Sequence, residues 1–437
     1  MSSLEEAQEM ERVGDQLVAA ARGLREQLIA EQGDTEERAT YSEEVHQALL
    51  EAGFYRMYVP RRYGGLEVDV PTFMRVGVEL ARGDMGAAWG ACLSANHALQ
   101  VGSWFPERTQ DEVFGGGDFR AASVAAPTIR ATPHDGGYTL EGAVAYCSGI
   151  PYSTYYMGQA MLPEPDANGM PRMALFVAPR SAFTQLDDWG DTLGLKGTGS
   201  HTIRFDGADL PAHYVIEDVN MVDVAVENGT PGLALHGNPM YGGRALVIFT
   251  LSLACTLVGG GYNALDEYRN WALDKPTPLP PFGPRFENAD FQRWYGGAFA
   301  KLQTAEAAMM RCAEMHMEAC RRNAAGTEPY TWAVDARLAA IAREVMVQCW
   351  EAVEQHLFRT IGASAIKSGQ RFERLFRDLA TSAAHRNTQL RDEFWRQLGA
   401  IELGVPYPSP AGTYPPGAVN AGPTHPTHPT RPTHSPG

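Results

Sequence analysis

The chain has 437 residues, 44% hydrophobic and 20% charged, enough to bury a substantial core and ordinary for a globular protein. Its formal net charge of −16 argues against nucleic acid as a partner, because no basic patch gathers the Lys and Arg residues that phosphates require. Six cysteines (Cys92, Cys147, Cys255, Cys312, Cys320, Cys349) are widely scattered with no CxxC pair, so reduced buried thiols, no metal site and a cytoplasmic protein are expected.

The first twenty residues are amphipathic and acidic without an apolar h-region, so neither a secretory signal nor a transit peptide is expected. Residues 1–115 read as a helical domain: apolar residues recur at i, i+3 and i+4 over 41–52 and 73–95, with breaks at Gly53, Pro60 and Tyr63-Gly64-Gly65. Residues 116–228 change character and predict a β domain. Runs rich in β-formers at 138–140, 173–177 and 202–205 alternate with turns such as His134-Asp135-Gly136-Gly137 and Asp166-Ala167-Asn168-Gly169. Residues 229–405 return to long helices, predicted over 244–273, 291–322, 332–360 and 371–397, lengths suited to a bundle. The apolar run at 245–258 is too short to span a bilayer and predicts a buried helix, not a membrane segment. The Pro-rich residues 275–284 form a connector, and the Pro/Thr/His repeats of 406–437 predict a disordered tail.

Three segments carry a resemblance. They are Glu51-Ala-Gly-Phe-Tyr-Arg-Met-Tyr-Val-Pro-Arg-Arg-Tyr-Gly-Gly65, then Leu193-Gly-Leu-Lys-Gly-Thr-Gly-Ser200 followed by Phe205 through Pro211, and Gly261 through Leu273. In this order they resemble the acyl-CoA dehydrogenase superfamily across about residues 35–405. The implied fold is mainly α with a central β domain: an N-terminal helical domain, a middle β-barrel domain and a C-terminal four-helix bundle. One departure decides the branch. Arg374-Leu-Phe-Arg377-Asp378 is present, yet no Glu follows before Asp392 to serve as the dehydrogenases' base; His385 stands in that stretch instead. That pattern, with Ser94-Ala-Asn-His97 and Tyr146-Cys-Ser148-Gly149, is similar to the flavin-dependent aromatic hydroxylases and sulfur oxygenases of the same fold.

The resemblance implies the oxygenase component of a two-component monooxygenase. It would use reduced FAD or FMN from a separate NAD(P)H-dependent flavin reductase, and O2, through a flavin C4a-hydroperoxide, to hydroxylate a small aromatic substrate such as a phenol, an indole or a polyketide. Absence of a GxGxxG strand–turn–helix from the chain agrees with an external reductase. Catalytic roles fall to Ser148 beside the flavin, to His385 as a side chain titrating near neutrality that holds the peroxide proton, and to His97 as base toward a phenol. Tyr146, Cys147, Ser148, Gly149, Gly197, Thr198, Gly199, Ser200, Lys275, Thr277 and Arg377 would bind the cofactor, Lys275 and Thr277 from a neighbouring subunit. Trp89, His97, Trp104 and Tyr152 would line the substrate cavity. A homotetramer is implied, since an isolated bundle leaves apolar faces uncovered. Alternatives are heteroatom (S or N) oxygenation, a dehydrogenase or oxidase with its Glu relocated to Glu267 or Glu287, and a flavin-binding scaffold without activity.

Overall fold

The computed structural model describes residues 3–405, and the tail expected to be disordered lies outside the described residues. The chain starts with α1 (Ser3–Gly23), α2 (Arg25–Ala30), α3 (Gln32–Arg38) and α4 (Glu43–Glu51), then α5 (Val70–Ala81), α6 (Met85–Trp104) and α7 (Glu107–Phe114). The periodic run at 73–95 is two helices, because Asp84 takes an extended backbone and its carboxylate accepts the Ala87 N–H, starting α6 afresh. Every side chain of α6 except Leu93 is buried, so a helix that belongs to the first segment forms the centre of the molecule.

Seven strands follow: β1 (Ala121–His134), β2 (Gly137–Val144), β3 (Tyr155–Met161), β4 (Met173–Pro179), β5 (Thr184–Gln185), β6 (Ile203–Pro211) and β7 (Val215–Glu217). Asp135-Gly136 turns β1 into β2, with Gly136 at φ 88°, where a side chain is disfavoured. The strands make one sheet in the order β5-β6-β2-β1-β3-β4-β7; among the described residues β5 and β7 are its two edges, so hydrogen bonding does not close the expected barrel. Only β1 and β3 run parallel, and their register shifts between Val124 and Ile129.

The last segment contains α8 (Pro231–His236), α9 (Leu246–Asp274), α10 (Ala289–Ala324), α11 (Trp332–Glu351), α12 (Arg359–Ile361), α13 (Arg371–Ala383), α14 (Arg386–Gln389) and α15 (Arg391–Glu402). Central α9 packs on α10, α11 and α13 within the bundle and on α5 and α6 outside it. It is the one described helix long and apolar enough to cross a membrane, and 94% of its most apolar stretch is buried against these neighbours. Two predicted long helices are interrupted. The run at 332–360 passes into a π-helical turn at Ala352–Phe358, and the run at 371–397 breaks at His385. There the backbone is extended (φ −64°, ψ 145°) and the imidazole caps α14 by accepting the Asn387 N–H.

Candidate functional site

Small residues let α6 approach the sheet domain. Gly86, Gly90 and Ser94 repeat every fourth position and so share one face. A Cβ on Gly90 would lie 3.0 Å from the Thr198 carbonyl, and one on Gly86 would lie 3.3 Å from Gly197 Cα. Gly149, at φ 78°, is the tightest point: its Cβ would meet Ser94 Oγ at 2.2 Å and the Gly90 carbonyl at 2.5 Å. Gly149 N donates to Thr198 O (2.9 Å) and Cys147 N to His201 O (3.2 Å), which fastens the turn at 146–150 onto the loop at 195–201. From α13, Asp378 accepts the Leu195 N–H at 2.6 Å and Arg374 pairs with Asp84 at 2.7 Å, so one helix sets both the loop and the start of α6.

Three segments meet at Trp89. Its indole N–H donates to Ser148 Oγ at 3.2 Å, and its ring packs edge-on against His385 with centroids 5.3 Å apart. Ser148 Oγ lies 2.8 Å from Ser200 Oγ, which lies 2.6 Å from Thr198 Oγ1. In this chain of hydroxyls each oxygen can donate or accept, so Ser148 changes role by rotation of hydrogens alone. Among the described residues no carboxylate hydrogen-bonds or ion-pairs with Trp89, Ser148 or His385.

The two histidines have opposite polarity. His97 Nδ1 faces the Ala121 carbonyl at 2.6 Å and must carry the proton, leaving Nε2 as an acceptor. His385 Nδ1 accepts the Asn387 N–H at 3.2 Å, so in the neutral ring Nε2 carries the proton and donates. Burial lowers His97 to about 4, only partly offset by the Ala121 and Leu93 carbonyls. Burial, then the charges of Arg386 and Arg343, lowers His385 to about 4 as well. His385 therefore does not titrate near neutrality as expected; it is a fixed neutral donor at physiological pH.

Other predicted residues are arranged differently. The Tyr152 ring stacks on His46 (4.1 Å) and Tyr41 (4.8 Å), turned toward the N-terminal helices rather than to Trp89. Cys147 is buried with Sγ on the Val144 carbonyl, and only its backbone shares the turn. Arg377 is occupied by Glu36 and Glu373 and by the Leu193 carbonyl, which makes it a brace for the loop and not a free cation. Lys275 pairs with Asp274, and Thr277 Oγ1 donates to the Pro281 carbonyl; both lie past the far end of α9, about 39 Å along its axis from Phe249, whose ring is 6.0 Å from that of His97. Glu267 bonds Arg371 and Trp271, about 27 Å along α9 from Phe249, and is no substitute base; Glu287 is exposed in the turn before α10. Sequence reasoning missed Asn387, whose N–H sets the His385 tautomer; His is not among the residues that ordinarily signal a helix start, so the sequence carried no cue for it.

Next to Cys147 and Ser148 in the chain, Tyr146 is 71% exposed at φ 65° and packs edge-on against Trp189 with centroids 6.0 Å apart, so an aromatic surface lies open beside the turn. Thr381 Oγ1, one turn before His385, is buried without a partner.

Two family models match, the acyl-CoA dehydrogenase N-terminal domain at residues 14–103 and the acyl-CoA dehydrogenase C-terminal domain at residues 251–390. The chain belongs to the acyl-CoA dehydrogenase superfamily. Within the superfamily it is 25% identical over 388 residues to the flavin-dependent monooxygenase oxygenase subunit HsaA of Rhodococcus jostii (strain RHA1), covering 85% of this chain and 94% of that protein. Its fold matches that of XiaF from Streptomyces sp., solved with FADH2 and glycerol (TM-score 0.82, 22% identity, 93% of this chain and 100% of that one). It also matches TdsC from Paenibacillus sp. A11-2, solved with FMN and indole (TM-score 0.73, 20% identity, 90% and 98% covered). The chain is an enzyme of the superfamily's flavin-dependent monooxygenase branch.

Proposed function

We propose that this chain is the oxygenase component of a two-component system that hydroxylates an aromatic substrate with reduced FAD or FMN delivered by a separate reductase. The observation that carries the proposal is the meeting of Trp89, Ser148 and His385 where a dehydrogenase needs a carboxylate. When bound, reduced flavin supplies the electrons that activate O2. The exposed Tyr146 beside Trp189 suits its ring system, and the Ser148–Ser200–Thr198 hydroxyls suit its polar edge. Ser148 accepts from Trp89 and presents its own O–H, while His385 Nε2–H adds a donor that holds no charge to be lost at neutral pH. His97 Nε2 takes the proton of a phenol and so makes the ring more nucleophilic. Burial opposes that transfer by lowering the imidazole to about 4, and for the same reason favours return of the proton to product.

The protein works as a homotetramer in this proposal, Lys275 and Thr277 reaching a neighbour's flavin from the end of α9. Leu279 and Phe282, each 73% exposed beside them, are the apolar surface that such packing covers. The test mixes the purified chain with chemically reduced flavin, O2 and a panel of phenols and indoles, and follows hydroxylated product by mass. Product that requires both reduced flavin and O2 supports the proposal; anaerobic bleaching of bound flavin by an acyl-CoA, without hydroxylation, overturns it. Sulfur or nitrogen oxygenation of thiophene-type and amine probes run beside the panel, without ring hydroxylation, would move the substrate class and leave the site roles unchanged.

A further inference from the structure

The helix α14 has four residues, too few to hold its own shape, because a first turn fixes several dihedrals for one hydrogen bond. It nevertheless carries Asn387, whose N–H decides which nitrogen of His385 bears the proton. Whatever holds Asn387 therefore holds the imidazole as well. Arg343 on α11 does so from across the bundle. Its side chain is buried; Nε donates to the Asn387 carbonyl at 3.2 Å and Nη2 to the Asn387 side-chain oxygen at 2.8 Å. The planar fork thus grips one residue by its main chain and its side chain together. Nη1 donates to the Ala339 carbonyl at 3.0 Å, and the guanidinium carbon lies 3.6 Å from the centre of the Phe394 ring on α15, which fixes the fork in turn.

Among the described residues no carboxylate hydrogen-bonds or ion-pairs with Arg343. Asp335, about two turns earlier on α11, is the acid whose charge favours the cation. Its oxygens are engaged elsewhere: they accept the Leu246 and Val247 N–H groups, and one lies 3.8 Å from Arg244 Nε. Burial accordingly pushes Arg343 down to about 9, which leaves it charged at neutral pH. A buried cation without a bonded counter-charge is costly, and an apolar chain of similar length would pack there more cheaply. Its charge is felt at the site. His385 is faced by the neutral Trp89 ring from α6, by Arg386 next to it in the chain and by Arg343 from α11, and both cations oppose a second proton on the imidazole. We propose that Arg343 is a positioning residue for the oxygenation step, keeping His385 a neutral Nε2–H donor both by its grip on Asn387 and by its charge. The inference rests on the oxygenase proposal for the use to which that donor is put.

The test reads His385 itself, in the full chain without added flavin, by solid-state nitrogen NMR of histidine-labelled protein, with His385→Gln identifying its signals. The parent is expected to show a single tautomer, protonated on Nε2, from pH ~6 to ~9. Arg343→Met is expected to mix the two neutral tautomers and to raise the midpoint for the second proton by about one pH unit, a tenfold change in that equilibrium. Arg343→Lys returns the charge without the fork, so the midpoint is expected to recover while the tautomers stay mixed. A brace with no hold on the imidazole would change the melting temperature of both variants and leave His385 as in the parent; that result overturns the proposal. Should Arg343→Met fail to fold, Asn387→Ala keeps the guanidinium and removes the amide oxygen that it grips. Mixed tautomers are expected there too, and a single Nε2–H tautomer overturns the proposal. In turnover with reduced flavin, O2 and a phenol, Arg343→Met is expected to release about threefold more H2O2 per product than the parent. The oxygenase proposal fails separately. If no probe yields product, that proposal falls while the tautomers still decide the role of Arg343; if phenol is hydroxylated and both readouts stay parental, the reverse holds.

Discussion

The contact between α6 and the turn at 146–150 and the loop at 275–284 are built on opposite principles. In the first, Gly149 has no room for a Cβ, and Ser148, Ser200 and Thr198 hydrogen-bond one another in a chain. In the second, a Cβ on Gly283 meets nothing within 4 Å, and Leu279 and Phe282 are largely exposed. The first region is closed by the chain itself and needs only a ligand; the second has surface left over that another copy can cover. The oxygenase proposal therefore assigns stability and chemistry to the first, and assembly to the second.

The largest effect expected is from one methyl group placed in each region. Gly149→Ala meets Ser94 and Gly90 at contact distances no real Cβ shows and forces a left-handed residue, so a loss of several kcal/mol (about 3 or more) is expected in thermal unfolding. Gly283→Ala is expected to be neutral or stabilising by about 0.5 kcal/mol, since only the unfolded chain loses freedom. Equal losses in both would erase the contrast.

Acid should attack the interior first. The folded state holds His97 and His316 neutral, lowered by burial to about 4 and about 3, so their contribution is present above pH ~6.5 and is lost as pH falls toward 4. Each is worth roughly 3 kcal/mol over that window, a large part of a typical domain's stability. Asp335 and Asp378, raised by burial to about 6, act with the opposite sign: their protonated form suits the fold, so they return part of the loss between pH 6 and 4. A fall in melting temperature from pH 6.5 to 4.5 is expected, with His316→Phe shallower than the parent; a flat profile would show that these histidines are charged or solvated.

A smaller effect, on assembly alone, is expected from Leu279→Asp with Phe282→Asp. Sedimentation should show a smaller oligomer while the melting temperature at low concentration stays within about 1 kcal/mol of the parent in free-energy terms. An unchanged oligomer would place the interface elsewhere.

How much of this was legible follows the same divide. The order helices, sheet, helices could be read from apolar periodicity and turn residues, because those patterns are local. The apolar run of α9 announced a buried helix for the same reason. The breaks at Asp84 and His385 were not separated from the helical runs around them, since both depend on a side chain turning back to cap the backbone. Ser148, His97 and His385 could be named from motif resemblance, but not the tautomers of the two histidines, which are set by the Ala121 carbonyl from the sheet and by the Asn387 N–H in the local cap. The orientation of Tyr152 and the Glu36 ion pair of Arg377 come from partners over a hundred positions away.

The subtlest consequence concerns His385. If it is a neutral Nε2–H donor, the fraction of turnover that ends in hydroxylated product rather than free H2O2 should not vary with pH between about 6 and 9, because a ring lowered to about 4 does not change charge there. His385→Gln, which keeps a neutral N–H donor, should retain most coupling; His385→Leu and Ser148→Ala should each divert turnover to H2O2 by roughly tenfold, the cost of one hydrogen bond to a developing charge. Asn387→Pro removes the N–H that fixes the tautomer and should resemble His385→Leu more than Gln. Peroxide release and product measured together across pH decide the matter. Coupling that rises or falls with a midpoint near 6.5 in the parent and goes flat in His385→Gln would mean that the imidazole is solvated and titrating when the enzyme turns over, and that the closed region opens to water during catalysis.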